Sequence, residues 1–127
     1  MNINELNYKL NKLKNEEIVW IIYIGIIILS FYSNMLEKKH FITGDLESKQ
    51  NYKNTLILIF SILVIVYLYF LKDSIDDINA LNKYDSDKKK HLVYLSFIGS
   101  LLIAISGFIY LYIALKDENI DVELAFN

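Results

Sequence analysis

Residues 92–115 read LVYLSFIGSLLIAISGFIYLYIAL and contain no Asp, Glu, Lys, Arg or His. Two shorter runs share this property, IVWIIYIGIIILSFYSNML at 18–36 and TLILIFSILVIVYLYFL at 55–71. In chain order, the three runs form helices of roughly 28, 25 and 36 Å, against a hydrocarbon core of roughly 30 Å. The sequence therefore predicts an all-α integral membrane protein with three transmembrane helices in a single domain over 1–127.

The composition supports one compact bundle. The chain is 54% hydrophobic, so too little remains outside the three runs for a separate soluble domain. Arg is absent while Ile, Asn, Lys and Tyr are frequent, a bias typical of an AT-rich genome. The net charge is −2 and the longest basic cluster is Lys88, Lys89 and Lys90, which argues against nucleic-acid binding. The chain also lacks Cys, which excludes disulfides and thiolate catalysis.

The distribution of lysines predicts an orientation. The N-terminal segment and the 72–91 connection share one side of the membrane and hold eight lysines, whereas 37–54 and the C-terminal tail hold five. Lysine-rich segments stay in the cytoplasm, which predicts a cytoplasmic N-terminus and an external C-terminus. Lys88, Lys89 and Lys90 are the candidate topogenic residues, since they precede the third run and attract anionic headgroups. We expect a bacterial cytoplasmic membrane, or a viral or host membrane.

The first two helices are predicted to continue beyond the membrane as a short antiparallel stalk. An apolar stripe at helical spacing precedes the first run, and a second follows the second run; the stripe residues are Ile3, Leu6, Leu10, Leu13, Leu71, Ile75 and Ile78. We expect the two stripes to pack together, with Lys12 and Lys14 level with Asp73, Asp76 and Asp77. Two alternatives remain open: the N-terminal stripe lies flat in the membrane interface, or it pairs with another copy as a coiled coil.

The third run has small residues along one side, which predicts close helix packing. In a bilayer, small residues let helix backbones approach and allow Ser hydroxyls to bond across helices. The predicted packing face consists of Ser96, Gly99, Ser100, Ala104 and Gly107, with Gly25 on the first run as a possible partner. The third helix is therefore expected to be the central packing element, in contact with the other two helices or with a neighbouring copy.

No constellation of side chains indicates catalysis, a cofactor or a metal. His40 and His91 lie on opposite sides of the predicted membrane, so one copy cannot use both on one ion. The acidic tail resembles the start of a calcium-binding loop, but Val122 stands where that loop requires Gly. Adjacent carboxylates such as Asp76 and Asp77 point in different directions on a helix. We therefore predict a protein that is not an enzyme, with no catalytic residue, cofactor or small-molecule substrate.

The function predicted from these features is that of a structural, accessory or assembly subunit that acts through helix packing. Its expected partners are the lipid bilayer and either a second copy or another membrane protein. The alternative is a pore-forming protein, because the size and three spans resemble the architecture of holins, a class of phage lysis proteins. That resemblance implies membrane permeabilisation. Holins usually end in a basic cytoplasmic tail, whereas this chain ends in an acidic one.

Overall fold

A computed structural model describes residues 2–124, which form three long helices joined by short connections. The helices are α1 (Ile3–Thr43), α2 (Leu46–Asn79) and α3 (Asp87–Lys116). At about 1.5 Å per residue they are roughly 62, 51 and 45 Å long. Each is long and apolar enough to cross a membrane, which confirms the three-span, all-α fold.

The helices begin and end at recognisable capping residues. Their N-caps accept hydrogen bonds from the first-turn backbone through short polar side chains, those of Asn2, Asp45 and Ser86. Gly44 caps the C-terminus of α1, and its φ of 69° is a left-handed conformation that Gly adopts without steric cost. The turn between α1 and α2 is therefore very short. The predicted connection 37–54 is helical on both sides of that turn.

α2 occupies the centre of the bundle. Both α1 and α3 pack against it, and α1 and α3 do not pack against each other within residues 2–124. The fully buried large side chains Tyr52, Ile59 and Phe60 all belong to α2. The expectation that α3 is central and contacts both other helices is therefore wrong within residues 2–124, and its contact with a neighbouring copy stays a prediction. A helix with bulky side chains around much of its circumference fills the space between two neighbours, whereas the small face of α3 fits against only one.

The buried positions of α2 follow the spacing of a left-handed helix pair. Tyr52, Leu56, Ile59, Leu63 and Val66 are buried at alternating intervals of four and three residues. On α1, the buried residues Val19, Ile26 and Ser33 recur every seven residues. Because seven residues are close to two helical turns, these three positions lie along one face of α1 and form its contact with α2.

α1 and α2 extend past their apolar runs on the same side and lie side by side there. The residues before position 18 on α1 and after position 71 on α2 remain helical. Lys12 of α1 contacts Asp73 and Asp77 of α2, so the two extensions are in register and antiparallel. This confirms the predicted stalk.

Candidate interaction surfaces

The contact between α2 and α3 contains a pair of serine hydroxyls. Ser74 donates a hydrogen bond to the carbonyl of Phe70 at 2.9 Å, and its Oγ lies 2.7 Å from that of Ser100 on α3. Since the Ser74 proton is used within α2, Ser100 donates to Ser74. Ser100, one of the residues of the predicted small-residue face, therefore joins α2 and α3.

Gly107 and Ala104 form the closely packed part of the α3 face. Both residues are buried. A Cβ atom added at Gly107 would lie 2.8 Å from Cδ2 of Tyr67 and 3.3 Å from Cγ2 of Val64. This separation is shorter than a normal carbon contact, so α3 approaches α2 here because position 107 has no side chain.

The remaining residues of the predicted packing face do not meet another helix in this way. Ser96 is exposed, and a Cβ added at Gly99 or Gly25 would have no neighbour within 4 Å. Gly25 is therefore not the partner of α3 inside the monomer. α1 and α3 are separated by α2, which places Gly25 on a surface that α3 does not reach.

The stalk is joined by charged groups. The Lys12 Nζ atom lies 3.3 Å from an oxygen of Asp73 and 3.3 Å from one of Asp77. Burial acts to lower the pKa of Lys12, but the two carboxylates outweigh it and raise that pKa above its usual value. An ion pair that remains partly exposed contributes only about 0–1 kcal/mol, so these contacts orient the extensions more than they stabilise them.

The N-terminal apolar stripe is uncovered in the monomer. The side chains of Ile3, Leu6, Leu10 and Leu13 are 75%, 47%, 52% and 54% exposed. On α2, Ile75 is exposed, and Leu71 and Ile78 are half-buried. The expected packing of one stripe on the other is therefore not what joins the stalk. Lys12 lies seven residues before Val19, on the face of α1 that contacts α2, and with that face against α2 the apolar stripe faces outward.

The candidate topogenic lysines lie at the start of α3. Lys89 pairs with Asp85 at 3.1 Å, and the Lys90 Nζ atom lies 3.5 Å from the carbonyl oxygen of Lys83. A hydrogen bond from the Asn82 backbone, followed by the contact with Lys89, lowers the pKa of Asp85. Over residues 2–124, the Lys88 ammonium has no carboxylate within 4 Å. The topogenic role of this cluster stays a prediction.

The acidic tail folds back onto the bundle instead of extending into solvent. Asp117 accepts hydrogen bonds from the backbone of Asp121 and Val122, which reverses the chain direction after α3. Leu124 is buried in the core cluster that also contains Leu56 and Ala114. The sequence signal for this turn is Asp117, two residues after the end of the apolar run, because Asp side chains commonly bond the backbone of a following turn.

Glu37 is buried at the same end of the molecule. Burial raises the pKa of Glu37; a hydrogen bond with Tyr52 opposes this shift, and the charge of Glu123 in the tail adds to it. Tyr52 is itself almost completely buried. The last turns of α1, the first turns of α2 and the tail therefore form one packed unit, which the sequence pattern did not indicate.

A cleft runs along α2 between α1 and α3, because those two helices do not meet. Its inner part has a volume of about 430 Å³ and is lined by residues of all three helices, including Tyr23, Phe60, Tyr67, Ile103 and Tyr110. A middle part of about 250 Å³ shares Tyr23, Tyr67 and Ile103 with the inner part. The two parts are therefore neighbouring regions of one cleft.

The middle part of the cleft leads toward the stalk. It is also lined by Asp73, Ser74, Asp77, Ser96 and Ser100. An outer part of about 370 Å³ shares Asp77 and Ser96 with it and reaches the start of α3 at Ser86, Lys88 and Lys89. The cleft thus passes from charged groups beside the α2–α3 connection to aromatic and apolar groups inside the membrane-spanning segments.

Within residues 2–124, no three or more His, Asp or Glu side chains are grouped to hold a metal ion. His40 lies at the end of α1, with Nδ1 3.1 Å from the carbonyl of Asp45, and His91 lies in the first turns of α3 at the opposite end of the molecule.

A comparison of the chain with models of protein families, with curated proteins and with solved structures finds no match.

Proposed function

We propose that this protein is a non-enzymatic structural or accessory subunit of a membrane assembly, and that it binds its partner through the N-terminal stripe of α1. The observation that carries the proposal is the exposure of Ile3, Leu6, Leu10 and Leu13 outside the apolar run of α1. Within the spans, lipid covers the exposed apolar side chains, so their exposure does not indicate a protein partner. Outside them, covering a large apolar side chain contributes roughly 1.5–3 kcal/mol.

The form of α1 favours a partner helix over the membrane surface as the cover for this stripe. α1 is continuous from Ile3 to Thr43, and Lys12 is held against α2. A segment that lies flat on the membrane has to turn away from the spanning helix, and the unbroken helix has no such turn. The stripe covers barely two heptads, so it needs the rest of the stalk or a partner helix to form a stable pair.

The test is an exchange of the stripe residues in the full-length chain. Leu6→Ser with Leu10→Ser removes two apolar side chains one turn apart, and Asn7→Ser with Asn11→Ser is the matched control on another face of the same turns. After solubilisation in mild detergent, native mass spectrometry gives the mass and subunits of the complex. We expect the wild type and the control to form one defined complex and the leucine variant to be monomeric.

Two results contradict the proposal. A wild-type protein that is monomeric in mild detergent has no partner to bind, and a leucine variant that keeps the complex places the contact elsewhere. Helix content measured by circular dichroism on each variant separates loss of binding from loss of folding.

The holin-like alternative is tested by expression of the same chain in a bacterium. An abrupt uptake of membrane-impermeant dye supports permeabilisation, whereas cells that stay sealed while the protein accumulates support the accessory role.

A reporter fused after the last residue tests the proposed orientation. Activity only outside the cytoplasm supports an external C-terminus.

A further inference from the structure

The cleft between α1 and α3 changes in polarity along its length. Its outer part holds Asp77, Ser96 and Lys88, and its inner part holds Phe60, Tyr110 and other large side chains. Along α2, the part of the cleft lining that lies within the apolar run extends from Phe60 to Phe70, which is ten residue steps or about 15 Å of helix. One leaflet of a hydrocarbon core of roughly 30 Å has the same depth. A molecule that fills the cleft therefore has a polar end and an apolar part about as long as one leaflet is deep.

The outer part of the cleft carries charge of both signs. Asp77 lies on its α2 side and keeps 41% of its side chain exposed beside Lys12. Lys88 lies on its α3 side and has no carboxylate within 4 Å among residues 2–124. The hydroxyls of Ser86 and Ser96 line the same part. Lys88 therefore offers a cation to a phosphate. Asp77 offers a carboxylate to an ammonium group, and the serine hydroxyls offer further acceptors to it.

The charges discriminate between classes of lipid. Lys89 also lines the outer part of the cleft and is paired with Asp85, and Lys12 is paired with Asp77. A headgroup that is only anionic can pair with Lys88, but it offers no cation to the exposed side of Asp77 and adds a negative charge near it. A choline headgroup is zwitterionic, but its quaternary nitrogen has no hydrogen to donate. A primary ammonium donates three hydrogen bonds, as the side chain of lysine does, and can satisfy a carboxylate and a serine hydroxyl together.

We propose that this cleft binds one phospholipid with a primary amine in its headgroup, taken from the leaflet next to the α2–α3 connection. Lys88 contacts the phosphate, Asp77 and Ser96 accept from the ammonium, and an acyl chain lies along Tyr67 and Ile103. This lipid site does not depend on the proposed assembly role, because the N-terminal stripe of α1 is not part of the cleft.

The experiment uses the full-length protein in vesicles of phosphatidylethanolamine, phosphatidylcholine and phosphatidylglycerol in equal parts. The protein is extracted in mild detergent, and native mass spectrometry identifies the lipids that remain bound. We expect one phosphatidylethanolamine per chain, retained roughly tenfold over either other lipid, as the gain of one charge-assisted hydrogen bond implies.

Two pairs of variants locate the site. Asp77→Asn removes the carboxylate, and its matched control Asp76→Asn changes an exposed neighbour that does not line the cleft. Ile103→Trp fills the cleft, and Leu102→Trp places the same bulk on an exposed position of α3 outside it. We expect both cleft variants to lose the lipid and both controls to keep it. Lys88→Gln serves as a second headgroup variant if Asp77→Asn folds poorly.

Three results overturn the proposal. The first is a wild-type protein that retains no lipid, and the second is equal retention of the three lipids by all variants, which indicates general annular lipid. In the third, Ile103→Trp separates two protein subunits without releasing lipid, which identifies a transmembrane helix as the occupant. Circular dichroism of each variant confirms that its helices are intact before the lipid is counted.

Discussion

Gly107→Ala tests the close contact between α3 and α2. The added Cβ would lie 2.8 Å from Cδ2 and 3.2 Å from Cε2 of Tyr67, so either the Tyr67 ring or the whole of α3 has to move. Forcing one extra carbon into a packed site costs about 1–3 kcal/mol. Alanine also favours the helix by about 0.5–1 kcal/mol relative to glycine. The net destabilisation expected for Gly107→Ala is therefore roughly 0–2.5 kcal/mol.

Gly99→Ala is the matched control, because it lies on the same helix and a Cβ there has no neighbour within 4 Å. The helix preference of alanine is common to both variants, so their difference isolates the steric cost. We expect Gly99→Ala to be the more stable by about 1–3 kcal/mol, which is about five-fold to more than a hundred-fold in the unfolding equilibrium constant.

The assay is unfolding of detergent-solubilised protein by a stepwise increase of sodium dodecyl sulfate, followed by circular dichroism. A second measurement identifies the clashing group, since in a Tyr67→Ala background most of the penalty of Gly107→Ala should disappear. Equal unfolding free energies for Gly107→Ala and Gly99→Ala would refute the close approach of α3 to α2.

The same unfolding assay checks three further predictions. Ser74→Ala and Ser100→Ala should show a coupling of about 0.6 kcal/mol and at most about 1.7 in a double-mutant cycle, and strictly additive effects would contradict the hydrogen bond between them. Lys12→Met should cost no more than about 1 kcal/mol, and a larger loss would show that the stalk depends on its ion pairs. Burial raises the folded-state pKa of Glu37, so its contribution to stability is complete below the unfolded value of 4.5 and is lost as the pH rises through the folded value. Glu37→Gln should remove this part of the pH dependence, and an unchanged profile would show that Glu37 is solvated.

The stalk shows how far patterns in the sequence extend into the three-dimensional structure. The apolar stripes at 3–13 and 71–78 correctly indicated that both helices continue beyond the membrane, because an apolar residue on every turn outside the bilayer is typical of a helix. They did not indicate the rotation of α1. That rotation depends on which contacts form with α2, and the face of α1 that carries Lys12, Val19 and Ile26 is the one that packs there, which leaves the stripe outward.

The small-residue face of α3 shows how far the spacing of residues along a helix locates a contact. Ser100, Ala104 and Gly107 pack on α2, while Ser96 and Gly99 lie beside or outside the contact. All five residues share a broad strip of the helix, and the crossing of two straight helices brings only part of such a strip together. The spacing in the sequence defines the strip of small residues, and the place where α3 meets α2 defines which of them are in contact.

The order of packing could not be predicted from the apolar runs. In water, a polar face marks the side of a helix that stays outside, but within a bilayer both lipid and neighbouring helices are apolar. The seven-residue spacing of Val19, Ile26 and Ser33 was therefore hidden among other apolar residues. The sequence did not indicate that the tail folds back, for another reason. Asp117 holds the turn, but the tail packs only because the folded bundle provides an apolar surface for Leu124.

The sequence by itself determined the three spans, their helical extensions and the absence of ionisable groups inside them, because the cost of charge and of unpaired backbone in lipid leaves helices as the only solution for such runs. Only the tertiary structure decided that α2 is central, that the N-terminal stripe is uncovered and that a cleft separates α1 from α3. These features depend on the shapes of side chains in contact. In a medium where every face is apolar, close packing and a few hydrogen bonds select the arrangement.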